Sequence, residues 1–423
     1  MTPLLRFPQF RDGLAWNVEP METLYAFRRT NSLSRAQLNS LSGAVKNVHY
    51  GDIHTKYPSS LDLATVDVPY INGTEALPEP SSGDYCVEGD LIFADASEDT
   101  KDVGKCVEVV RLHGQRLLSG QHTILARRKQ PSPIVGFGGH LFQSRQIRSQ
   151  MEREAQGTKV YSISPTRLAS IEIAYPGDIG EQEKITDCLA SLEAVIAAQG
   201  RKVEALKSYK RGMIQQLFPR EGESKPRLRF AEFRDAPGWR PEKAGALFTN
   251  RSERGIHTLP VYSVTMTDGL VSRASLDRRV DDLADATANK RAYERDIVYN
   301  TMRMWQGACG VANTDCMLSP AYVVLAPKGE VHSPFFGYLF KQPHMLRLFT
   351  AHSRGLTEDR LRLYFDDFCD VPVQLPSFNE QRRIADCLTT FDRTIHTEVS
   401  RLNELNAHKR ALMYQLFPSA EAV

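Results

Sequence analysis

One long segment occurs twice in this chain, and that repeat limits the possible folds more than any other feature of the sequence. Residues 180–219 align without a gap on residues 379–418, at an offset of 199. Both copies carry Glu-Gln near their start, Asp-Cys-Leu in their first half and Leu-Phe-Pro at their end. Internal similarity at a fixed offset indicates that one structural unit is used more than once. We therefore expect two copies of one element in similar surroundings.

A second, shorter element also occurs twice, at the beginning of each half of the chain. Leu-Arg-Phe, Phe-Arg-Asp and a tryptophan lie in this order within residues 3–16 and again, at an offset of 223, within residues 226–239. The two offsets differ by 24, since 223 − 199 = 24, so the first intervening region is longer by about that number. The ends of each half are shared and the middles diverge, which indicates a common frame that carries two different inserts.

Both long segments have the apolar spacing of a coiled-coil helix. Apolar residues recur in steps of four and three, beginning at Ile185 in the first copy and at Ile384 in the second. Polar residues interrupt the two seams at matching steps: Gln199, Lys210, Glu398 and Lys409. They either set the register of the pairing or are tolerated with their stems buried. Because both helices belong to one chain, we predict an intramolecular, antiparallel coiled coil.

The regions between the repeated elements combine strand-like and helical patterns. Runs rich in β-branched and aromatic residues indicate strands, and a helical pattern precedes the last of these runs in each half. The predicted fold class is α+β, with two β-rich domains in a pseudo-twofold tandem repeat, separated by two long antiparallel coiled-coil helices. The predicted division is a first domain at 1–179, a helix at 180–219, a second domain at 220–378, a helix at 379–418 and a tail at 419–423.

The two β-rich domains share local matches that indicate a common scaffold. Residues 90–93 (Asp-Leu-Ile-Phe) match 296–299 (Asp-Ile-Val-Tyr), and residues 125–126 (Leu-Ala) match 325–326. Between these matches the sequences diverge. Loops vary without disturbing a core, so divergent connections on a shared scaffold are where different specificities are expected.

Several turn-like segments of the divergent regions bring together amides, hydroxyls, basic groups and aromatic rings. Arginine and amide side chains read the edges of bases, lysine and hydroxyl groups bind phosphate, and aromatic rings stack on bases. The candidates for nucleic-acid contact are His54, Lys56, Tyr57, Ser97, Gln121, His122, Thr265, Lys290, Arg291, Arg303, Trp305 and Gln306. Structural roles compete with this interpretation, because a tryptophan such as Trp305 is as often a core residue and histidines are often hydrogen-bonded inside a fold.

Composition excludes some classes of protein and leaves others open. The formal net charge is only +2, so the total neither supports nor excludes a nucleic-acid partner. The seven cysteines include no Cys-x-x-Cys pair, which argues against a zinc site, and their scatter is typical of a reducing compartment. The first residues do not resemble a signal peptide and no long apolar run occurs, so we expect a cytoplasmic protein with no membrane partner.

Sequence motifs that would carry catalysis are not found. An adenine methyltransferase needs a motif of the type Asn-Pro-Pro-Tyr to hold its base, and the nearest sequence is Ser-Pro-Ala-Tyr at 319–322. The Gly-Phe-Gly-Gly sequence at 136–139 lacks the pattern that surrounds a cofactor-binding glycine loop, and a phosphate-binding loop of the ATPase type is missing. The chain is therefore predicted to be non-catalytic, with no metal site and no cofactor of its own.

Taken together, these features resemble the specificity subunits of type I restriction-modification systems. The paired helices, with Glu-Gln at their start and Gln-Leu-Phe-Pro at their end, look like the family's central and distal constant regions. Residues 90–97 and 302–308 look like recurring segments of its target recognition domains. The resemblance runs nearly end to end and includes the duplicated order of the elements.

The resemblance implies a non-catalytic subunit that reads double-stranded DNA. Each target recognition domain would read one half of a bipartite, asymmetric target, and the helices would set the distance between the halves. Two methylation (M) subunits that use S-adenosylmethionine would bind this chain. Restriction/translocase (R) subunits that use ATP and Mg would join through the methyltransferase core, and these partners would methylate adenine or cleave the DNA.

Residues on the outer faces of the helices are the candidates for contact with methylation subunits: Tyr209, Lys210, Gln215 and Tyr414. A plain solvated helix face is the competing interpretation for each of them. Two other functions are compatible with parts of the sequence. One is a coiled-coil adaptor that joins two protein-binding domains without DNA, and the other is a self-sufficient methyltransferase.

Overall fold

The computed structural model describes residues 2–73, 81, 83–276, 288–357 and 360–418. The chain divides into two compact units, Met1–Gly200 with Ser400–Val423, and Arg201–Val399. The chain has two long helices of 39 residues, and each helix belongs partly to one unit and partly to the other. The predicted α+β class and both predicted helices are confirmed. The boundary between the units falls inside the helices, so the division into recognition domains and spacer helices stays a prediction.

The first unit contains a five-stranded sheet, a four-stranded sheet and two ribbons of two strands each. In chain order its described elements are β1 (Asn17–Pro20), α1 (Met21–Leu24), β2 (Tyr25–Arg28), β3 (Leu38–Asn39), β4 (Lys46–Val48), α2 (Tyr50–Thr55), β5 (Ser60–Asp62), β6 (Tyr70–Ile71), β7 (Leu91–Ala94), β8 (Ala96–Ser97), β9 (Cys106–Arg111), β10 (Leu117–Ser119), β11 (Thr123–Arg128), α3 (Phe137–Leu141), α4 (Arg145–Glu154), β12 (Tyr161–Ser162), α5 (Pro165–Ala169), β13 (Glu172–Tyr175) and the long helix α6 (Ile179–Leu217). The five-stranded sheet has the order β2-β11-β7-β9-β5, the four-stranded sheet has the order β10-β4-β6-β3, and the ribbons pair β1 with β13 and β8 with β12. The longer first insert accounts for the four-stranded sheet, since β3, β4 and β6 of that sheet precede β7.

The described part of the second unit contains a main sheet of four strands and three ribbons of two strands each. In chain order its described elements are β14 (Arg240–Lys243), α7 (Ala244–Leu247), β15 (Phe248–Asn250), β16 (Tyr262–Val264), β17 (Leu270–Ser272), β18 (Lys290–Ala292), β19 (Ile297–Asn300), β20 (Cys309–Val311), β21 (Cys316–Leu318), β22 (Tyr322–Pro327), α8 (Ser333–Leu339), α9 (Pro343–His352), α10 (Phe365–Cys369), β23 (Pro372–Leu375) and the long helix α11 (Phe378–Leu416). The main sheet has the order β15-β22-β19-β20, and the ribbons pair β14 with β23, β16 with β17 and β18 with β21.

The helical pattern predicted ahead of the last strand corresponds to two helices in each unit, α3 and α4 in the first and α8 and α9 in the second. The extended backbone of Ser144 and of Gln342 separates them.

The main sheets of the two units share one register once an alignment error is corrected. The sequence match of Leu125 with Leu325 is wrong by one position. Leu125 lies opposite Ile92, and it is Val324 that lies opposite Val298, the equivalent of Ile92. A shift of one residue moves a side chain to the other face of a strand. Only the corrected alignment, at an offset of 199, places equivalent side chains in equivalent cores.

We call the shorter repeated element, residues 3–16 and 226–239, the anchor of each unit. A buried cluster joins the anchor of the first unit to the start of the helix α6. Arg6 donates from Nε to Glu181 Oε1 over 2.8 Å and from Nη2 to Oε2 over 2.5 Å. Trp16 donates from Nε1 to the same carboxylate over 3.4 Å. The third guanidinium nitrogen donates to the carbonyls of Gly13 and Leu14 over 2.9 and 3.2 Å. One carboxylate thereby holds the arginine, the tryptophan and the turn between them.

The same cluster occurs in the second unit with the repeated residues. Arg229 donates to Glu380 over 2.8 and 2.6 Å, and Trp239 Nε1 donates to it over 3.3 Å. The Arg229 and Glu380 side chains are only 6% and 3% exposed. We call each arginine, glutamate and tryptophan set an anchor cluster. The anchor clusters explain why Leu-Arg-Phe, tryptophan and Glu-Gln recur together in the sequence.

The glutamine that follows each anchor glutamate is also buried and binds backbone. In the first unit Gln182 donates to the Pro176 carbonyl over 2.7 Å and accepts from the Ile134 amide over 2.8 Å. In the second unit Gln381 donates to the Pro376 carbonyl over 3.1 Å and accepts from the His332 amide over 3.0 Å. Buried amides of this kind are stable only when their bonds are made. The Glu-Gln pair therefore positions each β-rich region on the helix that follows it.

The seam positions predicted from the heptads are buried or half-buried along both long helices. Two of the polar interruptions, Lys210 and Lys409, each form an ion pair with an acidic residue of the other helix, and the two pairs are equivalent. Lys409 donates to Glu193 over 2.5 Å in the first unit, and Lys210 donates to Asp392 in the second. The offset of 199 maps each member of one pair onto a member of the other. Pairing across the seam favours the register role predicted for these residues over tolerated polarity.

Two ion pairs of the second unit show the direction of the helices. Lys202 lies 2.5 Å from Glu398, and eight residues further along α6 Lys210 pairs with Asp392, six residues earlier on α11. The helix segments of this unit therefore run antiparallel, as predicted. Tyr338 of α8 donates to Asp392 over 2.6 Å, so the same pair also holds the β-rich part of the unit.

The glycine-rich segment at 136–139 binds a carboxylate of its own chain. Glu108 on β9 accepts from the Gly136 amide over 2.8 Å and from the Gly139 amide over 2.7 Å. A Cβ at position 139 would lie 2.6 Å from the Ser59 carbonyl, which explains the glycine there. Burial raises the pKa of Glu108 to about 7, although both amide hydrogen bonds lower it. The segment is a structural turn around an internal carboxyl group.

All seven cysteines are free thiols. Across the described ranges, neither of the long helices nor any shorter one has the length and apolar character needed to cross a bilayer.

The anchor cluster of the second unit predicts a large effect for Glu380→Gln. The change leaves the buried Arg229 without its charge partner, and removal of one member of a buried ion pair costs roughly 3–5 kcal/mol. We expect the free energy of unfolding, measured by chemical denaturation followed by circular dichroism, to fall by that order. Glu232→Gln is the matched control, because the Arg383–Glu232 pair is half-exposed at 52% and 50% and such pairs contribute less than about 1 kcal/mol. Equal losses for the two variants would contradict this account.

Glu108 predicts that stability falls as the pH rises. The carboxyl group has an ordinary pKa of 4.5 and a folded pKa of about 7, so the folded state binds the proton more tightly between these values. Its contribution is complete below the lower value and is lost, by roughly 3 kcal/mol, as the pH rises to the upper one. Melting at pH 5 and pH 8 measures this difference, and Glu108→Gln should reduce it. The exposed Glu172→Gln is the control, and an unchanged pH dependence in Glu108→Gln would sink the assignment.

Candidate nucleic-acid interface

Three separate segments of the first unit meet around Tyr50, at the start of α2. The Tyr50 ring centroid lies 4.8 Å from that of His49, 6.3 Å from that of His54 and 5.3 Å from that of His122. His54 Nε2 also lies 3.0 Å from the carbonyl of Ala96, next to the candidate Ser97. The fold therefore brings His54, Ser97 and His122 together, although up to 68 residues separate them in the sequence.

A turn between β10 and β11 completes this site. The amide of Asp95 donates to the His122 carbonyl over 3.1 Å, and His122 Nδ1 lies 3.3 Å from Asp95 Oδ1. His122 has a φ of +56°, a conformation that is uncommon outside glycine and often marks functional turns. Burial raises the pKa of Asp95, while His122 opposes the rise. The exposed His122 and its half-exposed neighbour Gln121 are thus held beside the loop that follows β7.

Two basic side chains of the first unit share one buried carboxylate. Arg35 donates to Asp52 over 2.7 and 2.6 Å, and Lys56 Nζ lies 3.1 Å from the same group. Burial alone would raise the pKa of Asp52, but the hydrogen bonds from Arg35 and Lys56 outweigh it and lower the pKa. Their side chains are 49% and 64% exposed, so both still present charge to solvent. Tyr57, in contrast, is only 7% exposed and packs in the core, which contradicts its prediction as a contact residue.

In the second unit the loop after β19 carries three of the candidates. Arg303 is exposed and donates to Gln306 Oε1 over 3.2 Å. Trp305 is half-buried and donates from Nε1 to the Met302 carbonyl over 3.1 Å. Met304, which is fully buried, fixes the short 3-10 turn from which these side chains project. The turn gives an exposed cation, an amide and part of an indole on one small surface.

The remaining candidates of the second unit are engaged within the fold. Lys290 Nζ donates to the Tyr322 carbonyl over 2.7 Å, and burial lowers its pKa. Arg291 is held by Asp315 at 2.7 Å and stacks over the Tyr293 ring at 4.1 Å. Thr265 closes the turn of the β16-β17 hairpin, where its hydroxyl group donates to the Gly269 carbonyl over 3.2 Å. The side chains of these three residues therefore bind groups of their own unit.

The candidate loops occupy equivalent places in the two units. One loop follows β7, which pairs with β11, and the other follows β19, which pairs with β22 in the corrected register. Tyr50, His49 and Arg35 were not among the sequence candidates. They join the site only through contacts of the folded unit, Tyr50 through its ring contact with His122 and Arg35 through Asp52.

The proposed interface residues on the long helices differ in their surroundings. Tyr209 is 59% exposed and its ring lies 5.3 Å from that of Phe391. Gln215 is exposed, and Tyr414 is 40% exposed. The placement of Lys210 on an outer face is wrong, because its side chain is only 18% exposed and pairs across the seam. A lysine at a heptad seam position faces the other helix whatever its charge.

Within the described ranges, no group of three or more histidine, cysteine, aspartate or glutamate side chains is arranged to hold a metal ion. The clusters around Tyr50 and Arg303 offer donors, acceptors and aromatic faces at the surface instead. Groups of these kinds are among those that contact base edges and phosphates in protein–DNA complexes.

One family model matches part of the chain. A family model described as the type I restriction modification DNA specificity domain matches residues 246–407. The match covers less than half of the chain and shows that this part is similar to that domain. The resemblance to specificity subunits that the repeated elements indicated is therefore confirmed. No curated protein sequence matches the chain.

Solved structures support the fold over almost the whole chain. The S subunit of a type I restriction-modification system from M. genitalium is similar with a TM-score of 0.58 and 14% identity, over 99% of this chain and 100% of that one. A second structure, from work on complex assembly and conformational transition of the type I R-M system, is similar with a TM-score of 0.52 and 16% identity, over 95% and 97% of the two chains. The specificity-domain match lies within the second half of the chain, whereas the structural similarities span both halves.

The loop after β19 predicts a local effect for Arg303→Ala. An arginine that reads a base contributes roughly 1–3 kcal/mol of discrimination at that base. We expect relaxed reading at one position of one half of the target, measured by sequencing the products of methylation on a randomised DNA library with the methylation subunits present. Arg295→Ala is the control, because Arg295 is 80% exposed and precedes the same strand at its other end. A uniform loss across all sequences would indicate a phosphate contact instead.

Proposed function

We propose that this chain selects a bipartite, asymmetric DNA target for a type I restriction-modification complex. Each β-rich domain reads one half of the target in double-stranded DNA. Partner subunits then methylate adenine in each half, or cleave the DNA when it is unmodified. The chain itself carries out recognition and takes no part in bond-making.

The observation that carries this proposal is a repeated frame with divergent loops. The anchor clusters, the buried glutamines and the seam ion pairs are the same interactions in both units. The loops at equivalent places have different surroundings: the loop after β7 contacts His54 and His122, which surround Tyr50, and the loop after β19 itself carries Arg303, Trp305 and Gln306. Identical support for different chemistry is what two recognition domains with different half-sites require.

The partners follow from the family. We propose that two methylation subunits bind the chain and that restriction/translocase subunits join through the methyltransferase core. Tyr209, Gln215 and Tyr414 remain the candidates for methylation-subunit contact, because each presents exposed surface on a long helix. Amphipathic tyrosines are common at protein interfaces. Under this proposal S-adenosylmethionine, ATP and Mg belong to the partner subunits and the chain holds none of them.

An exchange of one domain tests the proposal directly. Residues 21–171 would be replaced by the corresponding part of another specificity subunit, which keeps the ribbon in which Asn17 pairs with Tyr175. We expect one half of the adenine-methylated motif to change and the other half to stay, as read by methylation sequencing in cells that also express the methylation subunits. Replacement of residues 244–371 should change the opposite half, and the ribbon that begins at Arg240 is again kept.

Two outcomes would overturn the proposal. An unchanged motif after both exchanges would favour an adaptor that does not read DNA. Methyl transfer by the purified chain alone, supplied with S-adenosylmethionine and DNA, would show that catalysis resides in this chain.

A further inference from the structure

A short segment that is closed by two backbone hydrogen bonds, here called a hairpin, follows α4 in the first unit and α9 in the second, where residues 358 and 359 lie outside the described residues. In the first unit the amides of Gln156 and Ser162 each donate to the other's carbonyl, over 2.9 and 2.7 Å. In the second unit Arg354 and Arg362 make the same exchange over 2.9 and 2.8 Å. The two hairpins are therefore one element of the repeated scaffold, although their sequences differ.

A glycine fixes the backbone of each hairpin at the same position. Gly157 has a φ of +133° and Gly355 has a φ of +151°, which side chains with a Cβ rarely adopt. A Cβ would lie 2.0 Å from the Val160 carbonyl in the first unit and 2.6 Å from the Arg360 carbonyl in the second. The residue that follows each glycine is therefore presented from a backbone that only glycine permits.

Each hairpin is joined to the candidate loop of its unit. The Ile163 amide donates to the Asp95 carbonyl over 2.9 Å, and the Leu363 amide donates to the Thr301 carbonyl over 2.9 Å. In the first unit the junction continues as a short antiparallel ribbon, in which Tyr161 lies opposite Ser97. Because the ribbon is antiparallel, the hairpin tip lies beyond Ser97, on the side to which the candidate loop also extends.

The residue after the glycine differs between the units. It is Thr158 in the first and Leu356 in the second, and both are exposed. The Leu356 side chain is 99% exposed on this tip. A single exposed leucine is ordinary on a protein surface. Leu356 also follows the fixed glycine of a hairpin whose Leu363 amide binds the candidate loop, at a position where the other unit has a threonine, and it therefore meets the requirements of a specificity position.

We infer that Leu356 is a specificity-determining residue that contacts the methyl group of a thymine in the half-site read by the second unit. The inference rests on the proposed function and adds a reading position outside the loop that carries Arg303. An aliphatic side chain has no hydrogen bond to offer, and the thymine methyl is the apolar feature of the major groove. Thr158, with a hydroxyl and a methyl group, gives the equivalent position of the first unit a different preference.

A uracil scan tests this contact. The complex of the chain with its methylation subunits would be titrated with duplexes in which each thymine of the target is replaced in turn by deoxyuridine, which removes only the methyl group. The half-site of the second unit is known from the exchange of residues 244–371. We expect the wild-type complex to bind roughly three- to tenfold more weakly when one thymine of that half-site is replaced, from loss of one buried methyl group. Leu356→Ala should bind the thymine and uracil duplexes equally.

Leu41→Ala is the matched control, since Leu41 is 88% exposed but belongs to the first unit. It should keep the uracil sensitivity of the half-site read by the second unit. The inference is overturned if that half-site has no thymine whose replacement weakens binding, or if Leu356→Ala keeps the full sensitivity. A wild-type complex that does not distinguish its target from a scrambled duplex would instead refute the proposed function itself.

Discussion

A buried glutamate at the start of each long helix organises this molecule. In each unit that carboxylate binds an arginine and a tryptophan of the preceding anchor, and the arginine in turn binds the carbonyls of the turn between them. A buried ion pair is not by itself a strong source of stability, because both charges must lose water. Its value here is geometric. The planar guanidinium and the indole meet the carboxylate in one arrangement, so the direction of the helix is set relative to the anchor.

The seam of the long helices adds a second set of polar constraints. Lys409 with Glu193 and Lys210 with Asp392 are the same pair in the two units, and each acid also accepts from the β-rich part of its unit, from Ser59 or from Tyr338. A seam of apolar residues alone would tolerate a shift by one heptad. An ion pair that also binds a third element loses its bonds if the helices shift, which specifies the register. The duplication of these contacts lets one frame carry two different sets of loops.

The repeat, the helices and most strands could be predicted because their signals are local. A heptad repeats every seven residues and a strand alternates every second residue, so short windows of sequence are sufficient. The match of Leu125 with Leu325 was wrong by one position, since the two residues look alike in sequence and only the pairing with β7 and β19 shows that Val324 is the equivalent of Leu125. The helical pattern before the last strand also appeared continuous, because the residues that interrupt it, Ser144 and Gln342, are common in helices as well.

The candidate site was predictable in kind but not in composition. The sequence by itself determined that two divergent regions would stand on one duplicated scaffold and that their turns would carry basic, amide and aromatic groups. Only the tertiary structure decided which of these groups share a surface. Tyr57 is buried and Lys210 is paired across the seam. Tyr50 meets His122 from a distant segment, beside its chain neighbours His49 and His54. The physical reason is that exposure and side-chain partners depend on contacts between distant segments, which no local periodicity records.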